Sequence, residues 1–116
     1  MVKLYVYKKC STCIKAIKFL ESKRIQFEII PIRDCPPQIE ELSLLLTKGK
    51  YSLKQLFNVS GKEYRSLNMK EVLPSLSEDE ALVLLSKNGN LVKRPVLISN
   101  QHLLVGFDED IWKEHF

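Results

Sequence analysis

Two cysteines three residues apart, Cys10 and Cys13, are the residues of this 116-residue chain whose types and spacing point most directly to chemistry. Cys10-Ser11-Thr12-Cys13 follows an apolar run and precedes an amphipathic one, which places the pair at a strand-to-helix junction. A sulfur at a helix N-terminus faces unpaired backbone N–H groups and the positive end of the helix dipole, and both favour thiolate over thiol. Lys8 and Lys9 add positive charge beside it, as expected thiolate-activating residues. Because the thiolate is the attacking species in thiol–disulfide exchange, Cys10 is the expected nucleophile. Cys13, one helical turn on, is the expected resolving thiol. Three readings compete with this one: two inert core cysteines, half of a zinc site, or a chance spacing. Zinc takes four ligands, and the remaining Cys35, His102 and His115 form no second paired motif, so no metal is expected.

Cys35 is the odd thiol, read as a partly buried small side chain or as a secondary partner for Cys10. Arg33, Arg65 and Arg94 each have the planar fork that binds an anion through two hydrogen bonds, and each is equally at home on a solvated surface.

The elements that must position these groups follow from periodicity. Val2 to Tyr7 is nearly all apolar, which suits a central strand buried on both faces. From Thr12 to Arg24, Cys13, Ile14, Ala16, Ile17 and Leu20 share one helical face. Ile25 to Ile29 alternates as a second strand, making a β-α-β unit with a right-handed crossover. Pro36-Pro37 reads as the opening of a helix carrying Ile39, Leu42 and Leu46. Tyr51 to Asn58 and Tyr64 to Glu71 read as further short helices around a turn at Ser60-Gly61. Ser77 and Glu80 form a capping-box pattern for a helix through Ala81 to Leu85 that ends near Gly89. Pro95 to Ile98 and His102 to Val105 suggest an antiparallel hairpin, and Asp108-Glu109-Asp110 starts a last helix to about Glu114. The order is β-α-β, a helical stretch over about residues 36–91, then β-β-α, in a single α/β domain over residues 1–116.

Composition sets bounds on function. With 45% apolar and 28% charged residues and only 4 Gly and 5 Pro, the chain is expected to fold around one core. Its net charge of +4 is scattered, with local concentrations at Lys8-Lys9 and at Lys48 and Lys50, and no basic run interleaves with aromatics. Direct nucleic-acid binding is therefore not expected. No signal-peptide pattern opens the sequence and charges interrupt every apolar run, so the expectation is a cytoplasmic protein without a membrane span. In that reducing compartment a close cysteine pair is more often catalytic, redox-sensing or metal-binding than structural.

Several pieces together carry a resemblance: strand-CxxC-helix at the N-terminus, Phe57-Asn58-Val59-Ser60-Gly61-Lys62-Glu63-Tyr64-Arg65 in the middle, and Lys93-Arg94-Pro95 followed by Val105-Gly106-Phe107. Over nearly its whole length the chain resembles the arsenate reductase-like (ArsC) family, including the Spx-type redox regulators. The resemblance implies a thioredoxin-like fold with a small mixed sheet and a helical insertion. It implies Cys10 as the catalytic cysteine, Arg65 and Arg94 as arginines that hold an anionic substrate, and Pro95 as a cis proline. The expected function is a thiol-disulfide oxidoreductase or glutathione-linked reductase. It carries no bound cofactor, takes glutathione as co-substrate, and acts on a small thiol or an oxidised protein. The alternative is an Spx-type regulator that binds RNA polymerase. Arsenate reduction ranks below both, because arsenate-reducing members resemble a single-cysteine loop followed by Ser and Arg. This chain has Cys13 and Ile14 there, and Phe107 where an arginine is expected after Gly106.

Overall fold

The computed structural model describes residues 1–116. The chain runs β1 (Val2–Val6), α1 (Ser11–Ser22), β2 (Phe27–Pro31), α2 (Ile39–Thr47), α3 (Lys62–Ser66), α4 (Met69–Val72), α5 (Glu78–Lys87), β3 (Val96–Ile98), β4 (Leu103–Val105) and α6 (Glu109–His115). The strands form one mixed sheet in the order β2-β1-β3-β4. β1 pairs parallel with β2, Val2 opposite Phe27, and antiparallel with β3, Leu4 opposite Leu97; β3 and β4 form the hairpin, Leu97 opposite Leu104. This is the thioredoxin-like α/β arrangement that the sequence implied, and no helix is long and apolar enough to cross a membrane.

The sheet is sandwiched because β1 alternates between two cores. Val2, Leu4 and Val6 face one side with Cys13, Ala16, Phe19 and Leu20 of α1 and Trp112 of α6. Tyr5 faces the other side, where Leu42 and Leu45 of α2 pack with Ala81, Leu82 and Leu85 of α5. Glu41, nearly buried among them, accepts the Tyr5 hydroxyl at 2.6 Å and the Lys3 ammonium at 3.2 Å. The Ser77 capping box forms in full: Glu80 N–H donates to Ser77 Oγ at 3.1 Å, and Ser77 N–H to Glu80 Oε1 at 2.9 Å.

Five expectations shift. The second strand starts two residues late, because Arg24 takes a left-handed φ of 57° and Ile25 still closes the helix end through its N–H to Leu20. Pro36-Pro37 precede α2 rather than opening it, since Gln38 is the N-cap. Of Tyr51 to Asn58 only Lys54–Leu56 is helical, as a single 3-10 turn, and Phe57 leaves it to form a bridge with Val92. The Tyr64-to-Glu71 helix is two helices, broken at Asn68, whose φ of 54° is one that Asn tolerates. On α1, Ile14 is exposed and Phe19 takes its place in the core.

Gly89 is not a helix cap but a contact point. A Cβ there would sit 1.8 Å from the carbonyl oxygen of Ile32, so only glycine lets the turn at Gly89–Leu91 press against the end of β2. That contact fixes Arg33 and Asn90 in neighbouring positions beside the cysteine loop.

Candidate active site

Cys10 is the N-cap of α1, with extended backbone at φ −93° and ψ 118°. Its N–H donates to the Tyr7 carbonyl at 3.0 Å, and its own carbonyl accepts the first helical bond from Ile14 at 3.1 Å. The loop therefore closes tightly from β1 into α1 and leaves the Cys10 sulfur half-buried at the helix end. Cys13, in the first turn, is 1% exposed in the core beneath α1. Both are free thiols, as is Cys35.

The two thiols are driven in opposite directions. Burial alone pushes Cys10 up, but the Cys13 N–H, the Cys13 thiol and the Arg94 guanidinium outweigh it and hold the Cys10 thiol below its ordinary range. In the thiol form the Cys10 side chain makes no capping hydrogen bond, so the Cys13 N–H acts as a nearby dipole that a thiolate engages more strongly. Cys13 is pushed up to about 12, first by burial and then by the neighbouring Cys10 thiolate, against the opposing pull of the Tyr7 backbone. One half-buried, more easily ionised thiol thus stands beside one buried thiol that holds its proton.

This opposition has a consequence for stability. In the unfolded chain Cys13 ionises near 8.5. Between that pH and about 12 the unfolded state gives up a proton that the folded state keeps, so Cys13 makes the fold less stable as pH rises through that window. Cys10 has the opposite sign: its stabilising effect is complete above the unfolded thiol value and is lost as pH falls through its lowered folded value. Urea unfolding at pH 8 to 11 under reducing conditions should show a shallower alkaline decline for Cys13→Ser than for the native chain. Parallel declines would mean that Cys13 is not held protonated.

Arg94 stands near the cysteine loop. Its guanidinium lies 5.1 Å from the centre of the half-buried Tyr7 ring and helps to lower the Cys10 pKa, and the Arg94–Pro95 bond is cis, with Pro95 buried. Arg65 is not brought to the site: it is exposed, and its Nη1 donates to the Ser60 carbonyl at 2.8 Å, tying it to its own turn. Lys8 and Lys9 stand in an exposed turn, and the pull on Cys10 comes from Cys13 and Arg94 instead. Cys35 is exposed rather than partly buried. Phe107 presents no cation; its ring packs 4.9 Å from Trp112 and 5.7 Å from Phe19.

The cation that sequence reasoning left undecided is Arg33, whose guanidinium stacks 3.8 Å from the centre of the Tyr7 ring. Arg33 and Arg94 line one polar cavity of about 300 Å³ together with Asn58, Lys62, Glu63 and Asn90. Asn58 and Lys62 fall within the middle motif quoted above, but nothing in their spacing marks them as cavity residues. A larger cleft of about 500 Å³ lies around Lys48, Tyr51 and His115, and neither Cys10 nor Cys13 lines either cavity.

The chain is 46% identical over 112 residues to the uncharacterized protein YusI of Bacillus subtilis, covering 97% of this chain and 95% of that one. It is 33% identical over 110 residues to the global transcriptional regulator Spx of Enterococcus faecalis, covering 95% and 82%. Its fold superposes with a TM-score of 0.92 on the crystal structure of an ArsC family related protein from Bacteroides fragilis, at 36% identity, covering 99% and 97%. The ArsC family model matches residues 5–115, so the chain belongs to the ArsC family.

Proposed function

We propose that this protein is a thiol-disulfide oxidoreductase that works from the reducing cytoplasm, with Cys10 as nucleophile, Cys13 as resolving thiol and glutathione as co-substrate. The observation that carries the reading is the opposed pair: a half-exposed Cys10 with a lowered pKa before a buried Cys13 with a raised one. The Cys10 thiolate attacks a substrate disulfide, forming a mixed disulfide and releasing one substrate thiol. The mixed disulfide removes the Cys10 charge, which adds to burial in keeping Cys13 protonated, and Cys13 gives up its proton as it attacks the Cys10 sulfur. The second substrate thiol leaves, and two electrons have passed from the Cys10–Cys13 dithiol to the substrate. Two glutathione molecules restore the dithiol, the first forming a mixed disulfide with Cys10 and the second releasing it as glutathione disulfide.

The test is intact-mass and peptide mapping across a glutathione redox series. A Cys10–Cys13 bridge or a Cys10 adduct is expected to titrate reversibly near cytosolic poise, roughly −220 to −320 mV. Thiols that stay unmodified throughout the series would end the proposal.

A second reading rests on the likeness to Spx. In it the same disulfide switches a surface that binds RNA polymerase, with no turnover. Polymerase captured with the chain from oxidatively stressed cells, and not with a Cys10→Ser form, is the outcome that favours it. Arsenate reduction is the weakest fit, because Arg65 and Phe107 bring no cation to Cys10.

A further inference from the structure

Away from the thiols, the fold joins two side chains that the sequence gives no reason to pair. His102 lies in the turn between β3 and β4 and His115 in the last turn of α6, and their Nδ1 atoms stand 3.0 Å apart. They are the only two histidines of the chain. Both backbones are anchored: the His102 N–H donates to Ser99 Oγ at 3.0 Å, and α6 is capped by the Asp108 carboxylate, which accepts from the Asp110 and Ile111 N–H groups at 3.0 and 3.2 Å. The His102 ring also packs on the Phe116 ring, with centroids 4.4 Å apart. The two nitrogens therefore converge from separately held elements, and solvent reaches them, since His115 is exposed and His102 half-buried.

A neutral imidazole carries one N–H and one bare lone pair, so the 3.0 Å contact places a proton on one Nδ1 that points at the other. A metal ion can take the place of that proton. Two imidazole nitrogens 3.0 Å apart, each bonded to one ion at about 2.0–2.1 Å, subtend about 94° at the metal. That is the angle between neighbouring ligands in square-planar or octahedral coordination, the geometry of Cu²⁺ and Ni²⁺, whereas tetrahedral Zn²⁺ sets the nitrogens about 3.3–3.4 Å apart. No Asp or Glu lines the cleft at His115 or the cleft at His102, and Lys48 and Lys50 line the first of them. Hard cations that need oxygen anions, Mg²⁺ and Ca²⁺, are thus excluded, and imidazole donation alone carries the affinity. We infer that His102 and His115 bind a divalent cation of the nickel or copper type through their two Nδ1 atoms, with water in its remaining positions. On binding, each ring turns so that the lone pairs meet at the ion. The displaced Nδ1 proton passes through solvent to Nε2 of the same ring, which leaves both imidazoles neutral. The ion clips the end of α6 to the β3–β4 turn, a role separate from thiol exchange at Cys10.

The experiment titrates Ni²⁺ into the reduced full chain by calorimetry; Ni²⁺ is the probe because Cu²⁺ oxidises free thiols, of which the chain has three. A one-to-one event is expected, tighter than that of Zn²⁺, with the ring-proton resonances of both histidines broadened by the paramagnetic ion. Affinity should fall at least about tenfold in His115→Gln, since even an outer-shell partner of a metal ligand costs that much. His102→Gln should do the same, and the two losses should not add in the double variant, because both belong to one site. His115 is exposed, so its replacement leaves the core intact, and circular dichroism checks the fold of each variant. Ni²⁺ bound with unchanged affinity in His115→Gln places the ion elsewhere, on the thiols, and overturns the site, as does an absence of binding to the native chain. Zn²⁺ held by the same rings more tightly than Ni²⁺ overturns the choice of metal.

Discussion

Cys10→Ser should lose disulfide exchange by at least about 10³-fold while the protein stays folded. The retention of structure follows from the position. Cys10 is the N-cap of α1, and serine is among the best N-cap residues because its oxygen accepts the first-turn N–H groups that the Cys10 thiol leaves uncapped. The loss of chemistry follows from the atom, since a serine hydroxyl has no appreciable anion at neutral pH. Cys13→Ser should behave differently: Cys10 still attacks, nothing resolves the adduct, and a mixed disulfide accumulates at a stoichiometry of one. Its rate of formation should rise with pH and level off below the ordinary thiol range, because Arg94 and the helix end lower the Cys10 pKa. Intact mass, with circular dichroism as the check on folding, reads all three outcomes. Exchange that survives in Cys10→Ser would move the nucleophile elsewhere, and the exposed Cys35 would be the residue to examine.

The fold was legible where one signal sufficed. β1 was readable because Val2, Leu4, Tyr5 and Val6 make a short β-forming run that Lys8-Lys9 closes, and α5 because Ser77 and Glu80 encode both bonds of a capping box. The middle was not, because tertiary contacts override local preference there: Phe57 leaves the helical pattern to bridge Val92, and Asn68 breaks what periodicity joins. Cys10, Cys13, Arg94 and Pro95 were visible because the cysteine spacing has a chemical meaning and the other two belong to a recognisable motif. Arg65 was misplaced because the same motif does not tell which of its side chains turns inward; Asn58 lines the cavity, while Arg65 is held on the Ser60 carbonyl. Arg33 could not be ranked above other surface arginines from its type alone. What singles it out is stacking on Tyr7 and the approach of Gly89 to Ile32, both set by chain segments more than 20 residues away.

Trp112→Ala is expected to be the most damaging core substitution on the α1 side of the sheet, at about 3–5 kcal/mol. Trp112 is fully buried, and its ring meets Phe107 at 4.9 Å, Phe19 at 6.0 Å and Phe116 at 6.5 Å, edge-on or tilted as aromatic rings prefer. Its indole Nε1 donates to the Gly106 carbonyl at 3.1 Å, a buried bond whose loss strands that oxygen. Against a total stability of about 5–15 kcal/mol for a domain of this size, the change removes a large fraction. Its effect should also reach the thiols. Phe19, which leans on Trp112, shares with Cys13 the buried face of α1, and that face holds the helix end under Cys10. Urea unfolding gives the stability, and the pH dependence of Cys10 alkylation gives the poise of the site. In Trp112→Ala the alkylation midpoint should move up toward the ordinary thiol value as α1 loosens, while Trp112→Phe, which keeps most of the ring contacts, should hold the midpoint and lose less stability. A midpoint that stays low in a destabilised Trp112→Ala protein would show that the β1–α1 loop and Arg94 position Cys10 without support from the aromatic cluster.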